Sequence, residues 1–158
     1  HAYEGFYREN AKTMVSLAIN HLAKVGTPCP LPTWKVQLKT GCVKVVPDFL
    51  VKDAKNFPIV IRFRTGRPTS GESEKDIYAI YKTAVEKASS GKGKVKIYYL
   101  STGETEEVNM TDRKLSTRLN RYEEAMMDIA AGSFPPKIDE WTCPRCPHYF
   151  ICPAGEMS

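Results

Sequence analysis

Residues 42–64, CVKVVPDFLVKDAKNFPIVIRFR, decide the fold. Apolar and polar positions alternate through CVKVVPDFLV (42–51) and again through FPIVIRFRT (57–65), the period of strands that lay one side on a core. Residues 52–56 between them read as a polar turn, and TWKVQLKT (33–40) alternates in the same way, so the segment reads as a three-stranded meander. Further upstream, TPCPLPT (27–33) is too rich in proline to continue a helix. Before it, Met14, Leu17, Ala18, His21, Leu22 and Val25 recur at three- and four-residue steps, which predicts a helix over 4–24 closed by Gly26. Downstream, TGRPTSGES (65–73) reads as a loop, and Ile77, Ile80, Tyr81, Ala84, Val85 and Ala88 predict a helix from 74 that stops at SSGKGK (89–94). A strand KVKIYYLS (94–101) and a turn STGETEE (101–107) follow. A long helix through Leu115, Leu119, Tyr122, Met126 and Ile129 comes last, ended by Gly132, Pro135 and Pro136. A hairpin followed by a helical crossover to another strand implies the α/β class: a mixed central sheet flanked by helices, with a cleft where strand ends meet helix starts.

A chain of 158 residues with 42% hydrophobic composition is enough for one domain with a real core, expected over 1–153 with 154–158 as a tail. The start at His1 points to a fragment of a larger protein. No run of about 18 apolar residues is present, and HAYEGFYREN lacks the basic start and apolar stretch of a signal peptide. We therefore expect no membrane association and an intracellular place, cytoplasm or nucleus. The formal charge of +5, with a pI near 8.9, suits a partner with a phosphate backbone. Of five cysteines, three fall in the last sixteen residues, which is poor disulfide spacing and good metal spacing.

Cys143-Pro-Arg-Cys146, followed by five residues and Cys152, is the strongest chemical signal in the chain. Two thiolates separated by two residues can bind one metal from a single tight turn, and a third lies close by. His148 would complete a zinc site of three sulfurs and one nitrogen; alternatively a fourth cysteine would close a 4Fe-4S cluster. Cys42, in an alternating strand, reads as a small buried hydrophobe. Cys29, between two prolines, is open to either reading.

GSFPPKIDEWTCPRCPHYFICP (132–153) resembles the C-terminal end of RecB-like nucleases of the PD-(D/E)XK superfamily. That group contains the CRISPR adaptation nucleases and the nuclease domains of AddAB-type helicases. KVKIYYLSTGETEEV resembles the last core strand of the family and its hairpin, YKTAVEKA the preceding helix, and PDFLV and VIRFRTG the two strands that carry the active site; the similarity runs over 44–153. The resemblance implies a restriction-endonuclease-like fold in which an aspartate on the first strand and a D/E-x-K triplet on the second hold magnesium or manganese ions for phosphodiester hydrolysis. Asp48 matches that aspartate, while the triplet position, fourteen residues later, holds Arg62-Phe63-Arg64. A guanidinium does not ligate a cation. The resemblance also implies a tyrosine on the following helix, matched by Tyr78 or Tyr81, and a metal-binding histidine on the first helix, matched by His21 or His1.

Alternation puts Arg62 and Arg64 on one face, where with Arg67 they would offer forked donors to a nucleic-acid backbone or pair with Asp48 and nearby glutamates as an ion network. Trp34, Tyr98 and Tyr99 would serve as stacking platforms or as core. The first expectation is therefore a DNA-binding nuclease-fold domain with a lost or altered metal site, joined to a helicase or similar partner. The second is an active Mg- or Mn-dependent nuclease using Asp48, Tyr81 and a carboxylate migrated to the Glu72, Glu74, Asp76 group, with Glu74 as the candidate. The third is a metal-stapled protein-interaction module.

Overall fold

The computed structural model of the chain describes residues 3–133, 138–141, 143–147 and 152. The chain divides into two compact units, His1–Glu123 and Glu124–Ser158. Along it run α1 (Glu4–Val25), β1 (Thr27–Pro28), β2 (Trp34–Gln37), β3 (Cys42–Val45), β4 (Phe49–Lys52) and β5 (Pro58–Arg64). They are followed by α2 (Asp76–Ala88), β6 (Lys94–Tyr99), β7 (Thr105–Glu107) and α3 (Asp112–Ala130), with short 3-10 turns at Glu72–Glu74 and Cys143–Arg145.

The main sheet has the order β1-β4-β5-β6-β7; β5 and β6 run parallel and the other pairs antiparallel. This is the expected mixed sheet of an α/β domain, with α2 as the crossover that a parallel pair requires. Alternation along β5 assigns its residues to two cores. Val60 joins Tyr78, Ala79, Ile80, Tyr81, Ala84 and Val85 of α2 in one core. Ile59 and Ile61 lie in the other, where Phe63 of β5 and Leu17, Leu22 and Val25 of α1 pack against the buried cluster. Tyr98 and Tyr99 are buried, one in each core, and Trp34 packs against the α2 side, so these three aromatics are core.

Three expectations change. CVKVVPDFLV is two strands, not one: β3 pairs with β2 as a separate two-stranded sheet, and β4 belongs to the main sheet. The break falls at Val46-Pro47-Asp48, where Pro47 has no N–H to offer a ladder. Cys42 is exposed at the start of β3, on the outer face with Lys44, while Val43 and Val45 turn to the core. The buried face of α2 is also rotated from the expected stripe, with Tyr78 and Ala79 inside and Ile77 and Ala88 outside. His21, expected on the apolar stripe of α1, stacks on Tyr98 with ring centroids 3.8 Å apart. Its buried Nε2 has no hydrogen-bond partner among the described residues, and burial followed by the charge of Lys96 lowers its pKa. None of the described helices is long and apolar enough to cross a membrane.

Candidate functional site

The register that pairs Phe49 with Ile61 sets Asp48, just before β4, against Arg62 in β5. Arg62 Nη1 donates to Asp48 Oδ1 at 2.7 Å and to the Tyr81 hydroxyl at 3.2 Å. The Tyr81 hydroxyl in turn donates to the Val46 carbonyl at 3.2 Å, and the guanidinium carbon lies 5.7 Å from the Tyr81 ring centroid. Burial, and next the Asp48 charge, push the Tyr81 phenol upward in pKa, against the opposing pull of Arg62. Asp48, Arg62 and Tyr81 thus meet in one cluster. Their arrangement neutralises the carboxylate instead of presenting it to a cation. Hard divalent cations need several oxygen ligands, and here the carboxylate's neighbour across the ladder is a guanidinium with only donors. A magnesium or manganese pair does not fit this centre.

Arg64, two residues on and on the same face, brings its Nε to 3.3 Å from Glu72 Oε1. Gly71, at φ 75°, turns the chain into the 3-10 turn that carries Glu72. Glu72 is only 3% exposed, the one buried charged residue among those described. Its carboxylate also accepts from Lys75 Nζ at 2.5 Å and from the buried Tyr78 hydroxyl at 3.0 Å. Burial alone would raise its pKa, but the bonds from Lys75 and Tyr78 and the charge of Arg64 outweigh that and hold it below the usual 4.5. Burial and then the Glu72 bond push the Tyr78 phenol upward.

A carboxylate depressed on folding contributes stability that is present above its unfolded pKa and lost as pH falls through its folded one. We therefore expect stability of the wild-type chain to fall on acidification below about pH 4.5. Glu72→Gln should flatten part of that acid limb in urea titrations at successive pH values; an acid limb unchanged in the variant would refute the assignment.

Glu74, the candidate migrated carboxylate, turns the other way and pairs with Lys114 of α3. Asp76 receives both Arg118 at 3.5 Å and Arg121 at 3.3 Å. Glu123 accepts from the backbone N–H groups of Lys39 and Thr40 and from the Thr40 hydroxyl, tying α3 to the β2–β3 turn. Arg67 stands exposed in the loop after β5. Asp53 caps the turn before β5 by accepting from the N–H groups of Lys55 and Phe57, both at 2.9 Å.

Of the Glu72, Glu74, Asp76 group, Glu72 reaches Arg64 of β5, while Glu74 and Asp76 pair with α3. No periodic signal marks Glu72: the 3-10 turn spans only Glu72–Glu74 and gives way to an extended Lys75 before α2 carries Tyr78. On α3, Lys114, Arg118 and Arg121 recur at helical steps as a cationic run.

In the second unit, the Asp139 N–H donates to Cys143 Sγ at 3.2 Å, the Cys143 N–H to the Asp139 carbonyl at 2.9 Å, and the Cys146 N–H to the Cys143 carbonyl at 3.0 Å. The three thiols fit a soft metal in kind. Among the described residues, however, no three His, Cys, Asp or Glu side chains are gathered to hold a metal ion. His148 and His1 lie outside the described residues.

No family model and no curated protein matches the chain. A solved structure described as "Crystal structure of SSO0001" is similar over 97% of this chain and 79% of its own, at 20% sequence identity and a TM-score of 0.48, a likeness too slight to carry an argument about activity.

Proposed function

We propose that this chain is a non-cleaving, nucleic-acid-binding domain of nuclease type, resembling the RecB-like group, whose metal centre has been replaced by arginines. The observation that carries the reading is the 2.7 Å pair between Asp48 and Arg62, at the position where that resemblance calls for a second carboxylate. The pair is partly open, with Arg62 29% and Asp48 35% exposed, so it contributes on the order of 1 kcal/mol or less and the guanidinium retains donors for a phosphate. Arg64, on the same face of β5, would add a second guanidinium, and the exposed Arg67 a third from the loop that follows. DNA, presented by a helicase or similar DNA-processing partner in a reducing intracellular compartment, is the ligand this reading favours. The cysteine tail takes a structural part, as zinc or a 4Fe-4S cluster, which metal analysis of anaerobically purified protein decides.

The test is fluorescence anisotropy on labelled single-stranded DNA over a salt series, beside a cleavage assay in magnesium and in manganese. The expected result is affinity that falls steeply with salt and no cleavage under either cation. Arg62→Glu should weaken binding about tenfold, and its new carboxylate beside Asp48 should make the variant's melting temperature rise with added manganese while wild type stays flat. Cleavage lost on Asp48→Ala would establish a working nuclease and sink the non-cleaving reading. Absence of salt-sensitive binding would leave a metal-stapled protein-interaction module.

A further inference from the structure

We propose that the first half of α3 carries a second arm of the nucleic-acid surface, a stripe of Arg113, Lys114, Arg118 and Arg121 that takes the phosphates of a single strand. The inference rests on the nucleic-acid reading above and names a surface that reading does not contain. At 100° per residue these four side chains fall on one face of the helix, while Leu115, Leu119 and Tyr122 pack against the core from the other. The stripe covers eight residue steps, about 12 Å of helix, long enough to meet several phosphates of a stacked strand that rises about 3.4 Å per nucleotide. It lines an open groove of about 390 Å³ together with Thr111, Thr117 and Glu74.

The charge count within the groove favours an anion. Glu74 balances Lys114, but the single carboxylate of Asp76 is shared by two guanidinium groups, and Arg113 is exposed with no acidic partner among the described residues. Two positive charges are left over. The acids also fix the cations in place, so less side-chain freedom is lost when a ligand arrives. Continuity with the first arm comes from one short segment: residue 72 holds Arg64 and Lys75, and residues 74 and 76 hold Lys114, Arg118 and Arg121. The β5 arginines and the α3 stripe therefore flank the same five residues. Guanidinium forks match phosphate and carboxylate oxygens alike, so the choice of a nucleic acid over an acidic peptide rests on the nucleic-acid reading above and on the run of cations along the helix, and the competition below tests it.

The experiment measures anisotropy of a labelled oligo-dT across a salt series on the full chain, comparing wild type, the triple variant Arg113→Ala/Lys114→Ala/Arg121→Ala, and a control, Lys55→Ala/Lys92→Ala. The control removes exposed lysines from a separate groove beside Phe57 and Gly93. The triple variant should lose about tenfold or more in affinity at low salt and about two units of salt slope, with the control within about threefold of wild type. Wild-type binding that the triple variant retains, or that the control loses equally, overturns the stripe and leaves the nucleic-acid reading standing. Wild type that does not bind overturns both. Competition by polyglutamate as effective as by the oligonucleotide overturns the choice of ligand. Should the triple variant fail to fold, Arg113→Glu alone, which breaks no ion pair, gives the same readout.

Discussion

Glu72→Ala should cost about 3 kcal/mol of stability, read as a shifted urea midpoint, and should at the same time tighten the chain's hold on single-stranded DNA at low salt. The first effect follows from what the carboxylate leaves behind. Tyr78 is 1% exposed, and its hydroxyl, 3.0 Å from Glu72 Oε1, has no access to water once that acceptor is gone. Arg64 and Lys75 lose the charge that draws them inward, and the truncated side chain leaves a void beside α2. The second effect has the opposite sign because a released Arg64 is a better phosphate donor than a paired one. Glu72→Gln separates the contributions: it keeps an acceptor for Tyr78, removes the charge, and should lose only about 1 kcal/mol. A double-mutant cycle with Tyr78→Phe should then show that the Glu72→Ala loss shrinks when the hydroxyl is absent, with a coupling of about 1–2 kcal/mol. A Glu72→Ala chain within about 0.5 kcal/mol of wild type would mean that water or another donor replaces the carboxylate, and the network would not hold the turn. Stability lost with DNA affinity unchanged would remove Arg64 from the binding surface while leaving its structural part intact.

How much of this was legible depends on which physical rule each residue obeys. The period-two alternation of β5 is imposed by a sheet buried on both sides, so Arg62 and Arg64 could be placed on one face without coordinates, while the register that sets Asp48 against Arg62 came from the structure. The ion-network alternative for those arginines was legible too, since two guanidinium groups near a carboxylate have few other low-energy arrangements. What escaped were features set by register within a turn. The 3-10 turn Glu72–Glu74 ends at an extended Lys75 before α2 begins, a break that no periodic pattern announces, and it leaves Glu72 facing Arg64 and Tyr78 while Glu74 meets Lys114. The division of 42–51 between two sheets escaped because Val46 and Val45 continue the apolar pattern through the break, and only Pro47 marks it. Cys42 alternates with Val43 and Val45, which turn to the core, so it shares the outer face with Lys44. Alternation assigns the face, and an apolar residue type does not by itself place a side chain inside.

Gly26→Ala should cost about 2–4 kcal/mol, with the loss concentrated where α1 and β1 meet the sheet. A methyl placed on Gly26 would lie 2.2 Å from the Lys52 carbonyl oxygen and 3.1 Å from its carbon, and the residue's φ of 157° lies in a region that side-chain-bearing residues rarely adopt. Relief by movement of Lys52 is blocked. It sits at the end of β4, paired with Thr27 of β1 on one side and with Pro58 of β5 on the other, and β4's Val51 is fully buried in the second core. Relief by movement of α1 is easier, because that helix has no fully buried residue and is held by partial burial of Leu17, Leu22 and Val25, by the His21–Tyr98 stack and by the bond from the Tyr98 hydroxyl to the Leu17 carbonyl. The variant should therefore release α1 before the sheet unfolds. Amide hydrogen exchange should show lost protection over residues 17–29 with β5 and β6 still protected, and an apolar dye should bind the uncovered face of Ile59, Ile61 and Tyr98. Gly5→Ala, in open space on the same helix, is the matched control and should be neutral or stabilising by about 0.5–1 kcal/mol. If Gly26→Ala behaves like Gly5→Ala, the close approach to Lys52 is absent in solution and α1 is not anchored at this junction. If protection is lost across the whole sheet together with α1, the helix is part of the same cooperative unit as β5, and any substitution that loosens it also disturbs the arginine face.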